Sequence, residues 1–199
     1  MWPLPGGWLE KLGAEPGVIE RRSRAIARDL VTPRWQGLAA ELAAAVVYAS
    51  GDADLARSLS IHKPLRHPPR RVLADVGMVA RGLRAPVGIG VAADAVGAPE
   101  LAERAGTTRA AAGMALLWEE FGRDGLVVIG NAPTALLAAL DLARGAAPAF
   151  VIATCPGFTL AEAAKEALAA SELPHLAVLG TRGGSGPAAA AANAVLQRR

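Results

Sequence analysis

Short, wholly apolar runs alternate along the chain with longer stretches whose apolar residues recur at helical spacing. The clearest unit is 126–142. Leu126-Val127-Val128-Ile129 is apolar throughout and rich in β-branched side chains, as a strand covered on both faces requires. It passes through Gly130 and Asn131 into a helical pattern. Gly130 permits an unusual turn or a close approach, Asn131 is predicted to cap the helix, and Pro133 suits a first turn. Further strands are predicted before Asp75 (VLA), over Val87–Val91, from Ala149 (AFVIAT) and from His175 (HLAVL).

A helix from Pro16 is marked by Val18, Ile19, Ile26 and Leu30. A second is expected to open at Thr32-Pro33, as cap and first position, and to run to Tyr48, with Ser50-Gly51-Asp52 ending it. Ala98–Ala105 and the stretch TRAAAGMALLWEEF, capped by Thr107 or Thr108, read as two more; helices over Leu160–Ala170 and along the alanine-rich C-terminal stretch complete the set. The proline-broken, basic stretch 61–71 reads as a loop with His62 and His67 in solvent. Regular alternation predicts an α/β fold: a parallel sheet with helices on both faces, forming a single domain over 16–199 behind an irregular arm at 1–15.

At 199 residues and 52% hydrophobic content the chain can bury one substantial core. No apolar run approaches the roughly 18 residues of a membrane span, and the start lacks the pattern of a secretory signal, so a soluble, cytoplasmic protein is expected with no membrane partner. The lone Cys155 and three scattered histidines offer neither a disulfide nor a metal site. Basic residues exceed acidic ones by 21 to 18, and Arg outnumbers Lys, which suits a carboxylate- or phosphate-bearing partner. With 4% aromatic residues there is no stacking platform for single-stranded nucleic acid, so none is expected as a partner.

The candidate chemistry lies in the turns. The Asn131 turn opens at a strand's carboxyl end, where helix N–H groups attract anions. Arg109 sits in a first helical turn, where the dipole disfavours a cation; anion binding or a surface salt bridge would explain it. Tyr48, in the last turn of an apolar helix, is either a packing tyrosine or a site residue. The turn Gly180-Thr181-Arg182-Gly183-Gly184-Ser185-Gly186 is glycine-rich enough to cradle phosphate but lacks a P-loop's Lys-Ser/Thr pair; a nucleotide-binding α/β enzyme is the alternative it offers.

Taken in order, LADVGMVARGL, TTRAAAGMALLW, VVIGNAPTALLAALDL, PGF before a helix containing Lys165, and TRGGSGPAAAAAN resemble the precorrin-8X methylmutases of cobalamin biosynthesis, from about residue 18 to 196. The resemblance implies a Rossmann-like three-layer α/β domain and a homodimer with a tetrapyrrole near the subunit interface. It further implies an isomerase that moves a methyl group from C-11 to C-12 of precorrin-8X or cobalt-precorrin-8 without an external cofactor. Motif by motif, it places substrate binding at Ser23, Gly82, Leu83, Arg109 and Asn131, and at Gly183, Gly184 and Ser185.

Where the family carries a catalytic histidine at the end of the second helix, this chain has Tyr48, and where relatives have an ES pair it has Ala163-Ala164 before Lys165. An imidazole titrates near 6.5 and can pass a proton, whereas a phenol, near 10, ordinarily only donates a hydrogen bond. The sequence thus allows an isomerase, of reduced activity, with Tyr48 in the acid position, or a catalytically silent paralogue that holds the corrinoid.

Overall fold

A computed structural model describes residues 16–197 with the exception of 64, 66 and 85; the arm at 1–15, with Trp2 and Trp8, lies outside the described residues. In order the chain forms α1 (Pro16–Val31), α2 (Gly37–Ser50), β1 (Leu59–His62), β2 (Arg71–Ala74), α3 (Gly77–Arg81) and β3 (Gly88–Val91). There follow α4 (Ala98–Ala105), α5 (Arg109–Leu117), β4 (Leu126–Ile129), α6 (Pro133–Leu142), β5 (Phe150–Ala153), α7 (Ala161–Ala169), β6 (His175–Val178) and α8 (Ser185–Leu196). The sheet order is β1-β6-β5-β4-β2-β3. Every pairing is parallel except β1 with β6, which is antiparallel.

β4 sits inside the sheet with all four residues buried, and its alternation splits the core. Leu126 and Val128 join α1, α2 and α8 on one face through Val31, Leu42, Val46 and Val195. Val127 and Ile129 meet Met114 of α5, Leu136 of α6 and Leu168 of α7 on the other. The expected α/β sandwich, with helices on both faces of the sheet, is what forms. Thr108 caps α5 by accepting the Ala111 N–H at 3.2 Å. Past Leu117 the helix widens into a π-turn over Trp118–Gly122, and Trp118 donates its Nε1–H to the Ala146 carbonyl at 3.1 Å.

Three expectations need correction. Thr32-Pro33 does not open α2. The chain turns after Val31, with the Trp35 N–H bonded to the Val31 carbonyl at 2.9 Å, and Gln36 takes the N-cap position. The stretch from 61 is not all loop: Ile61 and His62 belong to β1, and the ring of His62 lies 5.7 Å from that of His175 across the pairing. The apolar stripe of α1 is only partly inward, since Ala27 and Val31 are buried while Ile19, Ile26 and Leu30 are 44%, 60% and 43% exposed.

Candidate functional site

The parallel strands end on a row of turns, and one buried acid ties two of them together. Asp75, at the end of β2, is fully buried. Its Oδ2 accepts the N–H groups of Asn131 and Ala132, each at 2.7 Å, and its Oδ1 accepts those of Gly130 at 3.2 Å and Val76 at 2.9 Å. Burial pushes the Asp75 carboxyl above its ordinary value, against four N–H donors that pull it down. The N-cap of α6 is therefore Ala132 with Asp75 as its capping group, and the expected Asn131 cap does not form. Gly130 is required for close approach: a Cβ there would lie 2.5 Å from Val79 and 2.9 Å from Ala188.

This changes the chemistry expected of the turn. The N–H groups of Gly130, Asn131 and Ala132 are bonded to Asp75 and are not available to a ligand anion. In the glycine-rich turn the Gly184 N–H bonds the Thr154 carbonyl at 2.6 Å and the Thr154 hydroxyl donates to the Gly184 carbonyl at 2.8 Å, which ties the turn to the end of β5. Arginine side chains are a second source of donors for an anion.

Such side chains surround Tyr48. A groove of about 550 Å³ opens between α1, α2, α8 and the loop after α3, where Arg24, Arg28, Tyr48, Gly82, Arg84 and Asn193 reach its lining. Much of the remaining wall is alanine, from Ala44 and Ala45 of α2 and Ala189, Ala190 and Ala194 of α8. Small side chains there leave depth for a flat apolar ligand. Tyr48 is half-buried, and the Arg24 guanidinium stacks 4.5 Å from its ring centroid while pairing with Glu20 at 2.9 Å.

The expected site residues divide. Tyr48 and Gly82 meet in this groove, and Leu83 follows Gly82 with its side chain against the core. Ser23 lies on α1 beside Arg24 but outside the groove lining, and Ser185 begins α8, just before the groove residue Gly186. Arg109 and Asn131 line a separate hollow of about 450 Å³, with Thr108, Thr134, Thr159 and Leu160. Arg109 makes no ion pair among the described residues, so the surface salt bridge does not explain its place.

Sequence reasoning missed Asp75 as the organiser of these turns; the available signal was a lone acid directly after an apolar strand. It also passed over Arg24, Arg28 and Arg84, visible only as members of an arginine-rich helix and loop. A second polar connection runs from α7 to the end of α2. Fully buried Lys165 donates to the Arg182 carbonyl at 3.1 Å, and Arg182 in turn pairs with Asp52, four residues beyond Tyr48. Burial pushes the Lys165 ammonium down and the neighbouring Cys155 thiol up to about 11, so this thiol is no nucleophile near neutral pH.

Known proteins share this arrangement of sequence and fold. The family model described as precorrin-8X methylmutase (CbiC) matches residues 18–198. The cobalt-precorrin-8 methylmutase of Methanothermobacter thermautotrophicus is 36% identical over 200 residues, covering 93% of this chain and 96% of that protein. The precorrin-8X methylmutase of Pseudomonas aeruginosa is 36% identical over 175 residues, covering 80% and 84%. Among solved structures, a precorrin-8X methylmutase related protein superimposes with a TM-score of 0.78 at 26% identity, covering 86% of this chain and 97% of that one. The precorrin-8X methylmutase of Thermus thermophilus gives 0.75 at 27% identity, covering 90% and 96%. With its sheet, its turns and nearly its whole length in common with them, the chain belongs to the precorrin-8X methylmutase family.

Proposed function

We propose that this chain is an intramolecular methyl-shifting isomerase, moving a methyl group from C-11 to C-12 of a carboxylate-rich precorrin ring in the groove that Tyr48 faces. The observation that carries the reading is that Tyr48, in the family's acid position, lines an alanine-walled groove set with arginines. Apolar walls suit the ring, guanidinium groups suit its acetate and propionate rim, and the phenol of Tyr48 offers a hydrogen-bond donor within the groove. A relative named cobalt-precorrin-8 methylmutase and one named precorrin-8X methylmutase both reach 36% identity, so the proposal covers the ring and leaves its metal open. Ser23, Arg109 and Asn131 are proposed to bind the same ligand, with the Gly183-Gly184-Ser185 turn shaping the site beside α8.

We further propose a cytoplasmic homodimer. No helix among the described residues is long and apolar enough to cross a membrane. The exposed Ile19, Ile26 and Leu30 share one side of α1, turned away from Arg24 and Arg28, and a second copy covering them would bury that apolar stripe.

One observation favours a second reading, a paralogue that holds the corrinoid without converting it. The chain has three histidines, and none lies in the groove: His62 and His175 sit on β1 and β6, and His67 on the loop after β1. The experiment is to incubate purified protein with precorrin-8X and follow the absorption spectrum. Conversion to the orange-red hydrogenobyrinic acid supports the isomerase; tight binding without conversion supports the carrier. Thermal stabilisation by NAD or ATP, and none by hydrogenobyrinic acid, would instead favour a nucleotide enzyme.

A further inference from the structure

The arginines of the groove are not equivalent. Arg24 is committed to Glu20 and to the face of Tyr48. Arg28, one helical turn further along α1, and Arg84, on the loop after α3, also line the groove, yet neither makes an ion pair among the described residues. Glu41 of α2 also lines the groove, yet it forms no ion pair with Arg28 or Arg84, so both guanidinium groups are positioned to take an acid from a ligand.

The loop carrying Arg84 is held from one side chain. Asn193 of α8, itself in the groove lining, accepts the Arg84 N–H on Oδ1 at 2.8 Å and donates its Nδ2–H to the Gly82 carbonyl at 2.9 Å. Its carboxamide thus closes over both ends of Gly82-Leu83-Arg84 and fixes where the Arg84 side chain departs. The bond is to backbone at each end, so it sets geometry and does not consume the guanidinium.

We propose that Arg28 and Arg84 are the carboxylate clamp of the groove, each taking a different acetate or propionate of the ring, and that Asn193 is the positioning residue that aims Arg84. The inference rests on the ring-binding function proposed above and adds to it the groups that recognise the acid side chains. Where the clamp's contacts are equal in ground and transition states, its loss raises KM and leaves kcat unchanged.

The test is calorimetric titration with two probes: hydrogenobyrinic acid, and the same ring with its side-chain carboxyls converted to primary amides. Wild type is expected to bind the acid well over tenfold more tightly than the amide. Arg28→Ala and Arg84→Ala are each expected to weaken the acid roughly tenfold, and together roughly a hundredfold, while leaving the amide within about twofold. Asn193→Ala is expected to match Arg84→Ala and to add nothing in the Arg84→Ala background. If thermal melting shows that Asn193→Ala does not fold, Asn193→Gln replaces it in that cycle, and the two exposed arginines decide the clamp without it. Arginine variants that bind the acid like wild type, or that lose acid and amide alike, would overturn the clamp while the function stands. Additive losses at Asn193 and Arg84 would overturn the positioning role. A wild type that binds neither ring would remove the proposed function and the clamp together.

Discussion

Asp75 and Asn131, fifty-six positions apart, meet through a 2.7 Å hydrogen bond from the Asn131 N–H to Asp75 Oδ2, inside a protein where the acid is fully buried. The same carboxylate holds Gly130, Ala132 and Val76, so it joins the end of β2 to the start of α6. Asp75→Ala would leave these donors buried or half-buried without partners. It is expected to lower stability by about 3 kcal/mol or more, read from urea unfolding. A loss below about 1 kcal/mol would mean that water replaces the carboxylate easily and that Asp75 does not organise the turns.

That relationship marks where the sequence was readable and where it was not. β4 and α6 were legible because an apolar run and a helical pattern each carry their own period. The capping group was not, because it comes from another strand: Asn131 has the right side chain for a cap, and a buried acid displaced it. β1 was missed for a related reason, since its four residues include Ser60 and His62, and an antiparallel edge strand pairs on one side only. The stripe of α1 was visible but its direction was not, because periodicity cannot say whether the covering surface is the same chain. Of the site, Tyr48 and Gly82 were identified through a resemblance and do meet in one groove, whereas Arg109 and Asn131 occupy another hollow.

Acid should loosen the β1–β6 edge. His175 is buried, with Nδ1 at 2.9 Å from the Leu173 carbonyl and Nε2 at 3.1 Å from the Ser60 hydroxyl, a pair of partners that a neutral ring satisfies by donating to the carbonyl and accepting from the hydroxyl. Burial pushes its pKa below 6.5, helped by His62. The unfolded chain therefore takes up the proton first as pH falls. Stability from this group is fully present above about 6.5 and is lost as pH drops from there through the folded value, by up to about 1.4 kcal/mol per pH unit. Urea midpoints compared between pH 7.5 and 5.5 should fall less for His175→Gln than for wild type; equal falls would assign the acid sensitivity elsewhere.

Ile26 is 60% exposed in the single chain and shares one side of α1 with Leu30. If a second copy covers this side, Ile26→Glu should bury a charge at the contact and weaken dimerisation about a hundredfold or more, with little effect on the melting of the fold itself. Sedimentation at micromolar concentration reads both chains. A wild type that is already monomeric there would contradict the homodimer.

The buried Lys165 gives a prediction at the alkaline end. Burial lowers its pKa from 10.5, so between the folded value and 10.5 the unfolded chain holds the extra proton, and stability from this group rises with pH across that window. Lys165→Met should remove that rise, measured as the difference in urea midpoint between the two proteins at pH 7.5 and pH 10. A constant difference would show that Lys165 stays fully charged in the fold.

The most direct measurement is single-turnover conversion of precorrin-8X by wild type, Tyr48→Phe and Tyr48→His, with hydrogenobyrinic acid affinity determined for each. With Tyr48 as hydrogen-bond donor to the ring, wild type converts the substrate and Tyr48→Phe loses about 10²-fold in rate while its product affinity stays within about tenfold, roughly 1.4 kcal/mol. Tyr48→His, which restores an imidazole beside Arg24 and Gly82, should turn over faster than wild type. Three proteins that all bind hydrogenobyrinic acid and all leave precorrin-8X unchanged would contradict the isomerase and leave the chain a corrinoid carrier.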